Sequence, residues 1–156
     1  MRFEFKPRFL MALLLSIQVA ACLSPVDDQT PKKTLDSYID LSFKVEGIED
    51  RKKLESLLTG DTLQRLSSWS DEQFLKAFEK NKRKKESLTI LETSKANDSE
   101  YALTYEIVFT ENNNGKDARI TQRKMALISK SDEGWKIREV QSKRESVEYL
   151  SELSLP

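Results

Sequence analysis

The sequence predicts an α+β domain, with three N-terminal helical segments packed on a curved antiparallel sheet of about four strands. A change of pattern carries that expectation. Apolar residues recur at a helical period from Leu35 to Phe78, then alternate at a period of two from Leu88 onward. Clusters of Asn, Asp and Gly separate the alternating runs, and these are the residues that close tight turns.

The helical half begins at Thr30-Pro31, where Thr can cap and Pro can occupy the first helical position without losing a needed N–H. Leu35, Tyr38, Ile39, Ser42 and Val45 then form one stripe, and Gly47 ends it. Asp50 is placed to cap a second helix whose Leu54, Leu57 and Leu58 share a face, broken at Thr59-Gly60. Asp61, with Gln64 three residues on, restarts the helical pattern and brings Leu63, Leu66 and Trp69 inward. Ser70 and Gln73 have the spacing of a capping box ahead of Phe74, Ala77 and Phe78.

The strand half opens with Ser87 to Thr93, in which Leu88 and Ile90 alternate with polar residues, and Asn97-Asp98-Ser99 closes it as a turn. Tyr101, Leu103, Tyr105, Ile107 and Phe109 alternate with Ala102, Thr104, Glu106 and Thr110, the clearest strand in the chain. Asn112 to Gly115 reads as a hairpin turn, since Asn and Gly tolerate positive φ. A third strand runs from Arg119 to Ser129; its broken alternation at Met125, Leu127 and Ile128 points to a bulge or to burial on both faces. After Asp132-Glu133-Gly134, the residues Trp135, Ile137 and Val140 mark a fourth strand. Val147, Leu150 and Leu153 are loosely helical in spacing, so 146–156 is expected to be a short helix or a tail.

Ahead of the domain, Arg2, Lys6 and Arg8 precede an apolar run from Leu10 to Val19, and Ala20-Ala21 leads into Cys22, which is secretory-signal architecture. A bilayer span needs about 20 apolar residues, and this run is roughly half that. Val19-Ala20-Ala21-Cys22 resembles the lipobox of bacterial lipoproteins. The resemblance implies cleavage between Ala21 and Cys22 and lipidation of Cys22, with palmitate among the attached acyl groups. A plain secreted protein would leave the lone thiol unexplained, because Cys22 is the only cysteine. The organisation is then a signal peptide at 1–21, a lipid-anchored tether at 22–30, one domain at 31–145 and the terminal segment 146–156. At about 3.3–3.6 Å per residue, the tether holds the domain within roughly 25 Å of a membrane. Leu23 after the cysteine, where Asp would mark inner-membrane retention in enteric bacteria, resembles an outer-membrane lipoprotein facing the periplasm.

Composition removes several classes of chemistry. The chain has 26 basic and 26 acidic residues. Cleavage would remove Arg2, Lys6, Arg8 and Glu4, leaving 23 against 25, which gives no global attraction to nucleic acid. There is no histidine, so a Ser-His-Asp or Cys-His nucleophile system has no base. Zinc and most transition-metal sites lean on imidazole or thiolate, so no metal site and no cofactor is expected.

The order of helices and strands, the Thr30-Pro31 start and the closing Gly134-Trp135-Lys136-Ile137 resemble the nuclear transport factor 2-like superfamily over residues 30 to 145. The resemblance implies a cone with a pocket between helices and sheet, for which Tyr101, Tyr105, Trp69 and Trp135 are the candidate lining, although an aromatic stripe of this kind is favoured as core. Enzymes of that superfamily place Asp, Tyr or His in the pocket; here the strand carboxylates Glu106 and Glu139 are the only inward-capable bases, and Glu106 faces away from the tyrosines. No catalytic residues are therefore assigned. The run Lys80, Lys82, Arg83, Lys84 and Lys85 either complements a helix end or grips an anionic surface, and its place at a helix-to-strand junction favours the first. These readings favour a non-catalytic, membrane-anchored module of the cell envelope that binds a protein partner. A small-molecule cone with weak isomerase-like or hydrolase-like activity is the alternative, and anionic-lipid contact through 80–85 a second one.

Overall fold

Thr30 begins the first helix as its sequence requires: its side chain accepts a hydrogen bond from the Lys33 amide at 3.2 Å, and Pro31 follows. A computed structural model of the chain describes residues 30–78, 83–113 and 116–150, so the leader, Cys22 and the tether lie outside the described residues. Helix α1 (Pro31–Ser42) ends before Gly47 because Ser42 and Phe43 both turn back onto the Ile39 carbonyl. Its inward face is Leu35 and Ile39, with Thr34 buried beside them.

Asp50 does not cap the second helix. It lies in a 3-10 turn (Ile48–Asp50) with helical backbone angles, and its carboxylate instead accepts from the Glu46 amide at 3.0 Å and from Lys53 Nζ at 2.6 Å. Helix α2 (Arg51–Glu55) is short and buries Leu54. Helix α3 (Gly60–Ser68) starts at Gly60 rather than Asp61. Gly60 has φ +56°, and a Cβ there would stand 2.9 Å from Arg138 Cγ, so glycine lets the chain turn sharply against the sheet. The described residues hold four α-helices where three segments are expected, and all of them precede the strands.

Helix α4 (Asp71–Phe78) has the reciprocal capping box that Ser70 and Gln73 predict. The Gln73 amide donates to Ser70 Oγ at 3.2 Å, and the Ser70 amide donates to Gln73 Oε1 at 2.8 Å. Ser70→Ala is expected to cost about 1 kcal/mol, read as a lower urea midpoint with unchanged slope. An unchanged midpoint would mean that the box adds nothing to the fold.

The sheet is a four-stranded antiparallel meander in the order β1-β2-β3-β4: β1 Arg83–Asn97, β2 Glu100–Asn113, β3 Lys116–Ser131 and β4 Gly134–Tyr149. All four are longer than the alternating runs suggest. In particular β4 continues through Val147, where the spacing allows a short helix or a tail, because Val147 pairs with Ile120 and Tyr149 with Ala118. The turn at Asn97 forms with the Ser99 amide donating to Asn97 Oδ1, and Gly134 supplies φ 108° after Asp132-Glu133. Residues 114–115 of the expected hairpin turn lie outside the described residues.

Register shifts fall in β1, at Lys85/Ser87, Ile90/Glu92 and Lys95/Asn97, and in β4 opposite Arg123/Lys124 and Leu127/Ile128. The broken alternation of β3 is thus not a bulge in that strand; Met125 and Leu127 are half-buried on one face while Ala126 and Ile128 are buried on the other. Bulges bend and twist the strands that hold them.

Among the described residues, helices cover one sheet face. Leu103, Tyr105, Ile107 and Phe109 of β2 point into the core with Leu35, Ile39, Leu54, Leu66 and Phe74. The opposite face is polar and laced with exposed ion pairs, among them Arg123–Glu106 and Arg119–Glu86. The helices also hold the sheet edge through the backbone. The Thr59 amide donates to the Ile137 carbonyl and the Ile137 amide to the Leu57 carbonyl, both at 2.9 Å, while Thr62 Oγ1 donates to the Arg138 carbonyl at 2.8 Å.

Candidate anion-receptive cavity

Between α1 and the covered face lies a cavity of about 120 Å³. Helix α1 contributes Tyr38, Ile39 and Ser42, with Phe43 just after it, and Phe78 ends α4 beside them. The floor is two cross-strand rows of the sheet. Tyr105 and Lys124 face the cavity from one and Ile107 and Gln122 from the next, while Glu145, paired with Gln122 in that second row, lies outside the lining. Inward positions of β3 are apolar at Ala126 and Ile128, but Lys124 and Gln122 occupy the next two inward places. The covered face therefore turns polar where α1 stands over it.

Arg83, the first residue of β1, closes one side. Its guanidinium lies 5.2 Å from the Phe43 ring centroid and 5.7 Å from that of Phe109, a position between two aromatic faces. Nη2 donates to the Ala77 carbonyl at 3.2 Å, while Nε is buried and has no hydrogen-bond partner among the described residues. Burial disfavours the Arg83 charge, against the pull of Glu111 opposite it in the ladder, yet a guanidinium remains protonated at any working pH. Burial and then the nearby Arg83 charge push the Lys124 ammonium below the ordinary lysine value, with Glu145 acting the other way. Burial pushes the Tyr105 phenol far above its ordinary value, and it raises Tyr38 against the opposing effect of Arg65 and Arg83. The cavity thus presents two desolvated cations and two phenols that keep their protons.

Of the aromatic residues expected to line a pocket, Tyr105 lines this one. Tyr101 packs edge-on against Trp135, 5.3 Å between centroids, at the other end of the face, and Trp69 packs against Phe78. The structure therefore does not bring Tyr101 and Tyr105 to one site, and among the described residues no carboxylate lines the cavity beside Tyr105. The basic run is divided as well. Arg83 enters the cavity, Lys85 pairs with Asp40 of α1, and Lys84 is exposed; Lys80 and Lys82 lie outside the described residues. A shallower depression of about 200 Å³ on the uncovered face is lined by Glu106, Thr121, Arg123, Arg144 and Ser146.

Among the described residues no helix is long and apolar enough to cross a membrane, and no group of three or more His, Cys, Asp or Glu is arranged to hold a metal ion. No family model and no curated protein matches the chain. Among solved structures, the intermembrane-space region of the chloroplast protein ARC6 is similar, with a TM-score of 0.54 over 71% of this chain and 92% of that one. The likeness is one of fold. At 12% identity it extends to the α+β architecture and no further.

Proposed function

We propose that the protein is a lipid-anchored, non-catalytic binding module of the bacterial cell envelope, facing the periplasm, whose domain is a nuclear transport factor 2-like cone. The observation that carries this reading is the lining of the cavity. Proton transfer at a substrate needs a group that gives up and takes back its proton near the working pH. Tyr105 and Tyr38 hold theirs, Arg83 never loses its own, Lys124 stands below the ordinary lysine value as a second cation beside Arg83, and among the described residues no carboxylate lines the space. Such a set retains a ligand and leaves it unchanged. The bulges of β1 and β4, which curve the sheet beneath α1, support the cone. The lipobox at Val19 to Cys22 supports the anchor, and a short tether favours an envelope component as the partner met there.

Metabolic labelling with an alkyne palmitate tests the anchor. The parent is expected to incorporate label in the membrane fraction and Cys22→Ser to incorporate none; label retained by the variant would overturn the anchor. Cross-linking in intact cells is expected to recover one envelope component reproducibly, and conversion of a small molecule by the purified chain would overturn the non-catalytic reading.

A further inference from the structure

Arg83 and Lys124 are unusual cations for this fold. Arg83 could have stayed in water at its strand end, as the flanking Lys84 does. Instead Arg83 lies over Phe43 and Phe109, and Lys124 stands at an inward position of a central strand next to Tyr105. Desolvating two like charges in one space is unfavourable unless something offsets it. Glu145 and Glu111 do so only from outside the lining. Glu145 is exposed and accepts from Gln122, while Glu111 sits opposite Arg83 in the ladder. Apart from Ser42, Gln122 and the two phenols, the remaining walls are apolar, chiefly Ile107, Phe43 and Phe78.

We propose that this cavity binds a small amphipathic acid, its carboxylate between Arg83 and Lys124 and its short hydrocarbon part against the α1 side. The inference deepens the binding-module reading, on which it rests, by naming the ligand chemistry. The Arg83 guanidinium, which lines the cavity, supplies one set of donors, and the Lys124 ammonium supplies another. Charge-assisted hydrogen bonds of this kind are roughly twice as strong as neutral ones. The Tyr105 phenol, protonated at working pH, is a further donor on the same row of the sheet. Size limits the ligand. The cavity far exceeds the roughly 10–15 Å³ one water needs on this measure, but it is well below the about 300–1,000 Å³ of drug-sized sites. A bare inorganic anion would leave the aromatic walls uncovered.

The test uses the full chain carrying Cys22→Ser, so that no acyl anchor competes for the cavity, followed by amide and side-chain NMR. Hexanoate is titrated against hexan-1-ol and inorganic phosphate. Hexanoate is expected to saturate at roughly 1 mM or below, moving the Arg83 Nε–H and the amides of Phe43, Tyr105 and Lys124, with hexan-1-ol and phosphate each at least about tenfold weaker. Arg83→Met and Lys124→Met keep length and remove charge, and each is expected to weaken hexanoate about tenfold. Melting curves establish that each variant is folded, and either variant alone suffices. Equal binding of hexan-1-ol, equal binding of phosphate, shifts away from the cavity, or full affinity in both variants would overturn the site. Failure here with palmitate labelling intact leaves the envelope module standing without this ligand. Chemical conversion of hexanoate would instead overturn the non-catalytic reading.

Discussion

Phe74→Ala is expected to destabilise the domain by about 3–5 kcal/mol, the range for emptying a buried aromatic position. Phe74 is fully buried. Its ring meets Phe78 at 5.1 Å between centroids and is covered on the other side by the Arg51 guanidinium at 4.8 Å. Arg51 is held there by the Ser70 carbonyl at 2.9 Å and by Asp71 at 3.3 Å, but its Nε is buried without a partner. The aromatic face offsets part of that burial, by about 0.5–1 kcal/mol or more. Removing the ring therefore opens a cavity and leaves the guanidinium without its cover. Against a typical total stability of about 5–15 kcal/mol, the variant should be near the edge of folding. Urea unfolding of both proteins measures it, with Phe74→Leu expected to lose only about 1 kcal/mol because most of the volume remains. A loss below 1 kcal/mol for the alanine variant would show that α4 is not part of the cooperative core.

How such features were legible in the sequence depended on whether the physics is local. The Ser70–Gln73 box, the Thr30 cap and the alternation from Leu103 to Phe109 involve neighbours within one element, and all are present as the sequence implies. Asp50 failed as a cap because a 3-10 turn, unmarked in the sequence, gave its backbone helical angles first. The clasp of Thr59 and Leu57 on Ile137, and of Thr62 on Arg138, joins groups far apart in the chain, and nothing in either segment announces the other. The same holds for the cavity. Arg83 reads as one charge in a basic run, and only the approach of Phe43 and Phe109 distinguishes it from Lys84. Lys124 and Gln122 did leave a signal, two polar residues at successive inward places of a strand otherwise apolar on that side. That signal is easily taken for broken alternation when the register is unknown.

The stability of the domain is expected to pass through a maximum in alkali; the cavity residues contribute to both limbs, and the raised Lys53 and Lys95 add to the falling one. Lys124 binds its proton less firmly when folded, because burial and Arg83 oppose its charge. Between that lowered value and the ordinary 10.5 the unfolded chain holds more protons, so stability rises with pH. Tyr105 and Tyr38 act in the opposite sense. Their folded values are raised above 10.0, chiefly by burial, so the stability they confer is complete below about pH 10 and is lost as pH climbs toward the folded values. Tyr105, which is almost fully buried, should not ionise without the domain opening, so the part of the tyrosinate absorbance that Tyr105→Phe removes should appear together with loss of the far-ultraviolet dichroism rather than before it. Urea midpoints measured from neutrality to strong alkali give the curve. Lys124→Met is expected to flatten the rising limb, and Tyr105→Phe to move the falling limb to higher pH. Ionisation of Tyr105 in the still-folded protein would contradict both the burial argument and its role as a donor. A phenol that cannot lose its proton while the domain is folded can hold an anion beside Lys124, but it cannot act as a base.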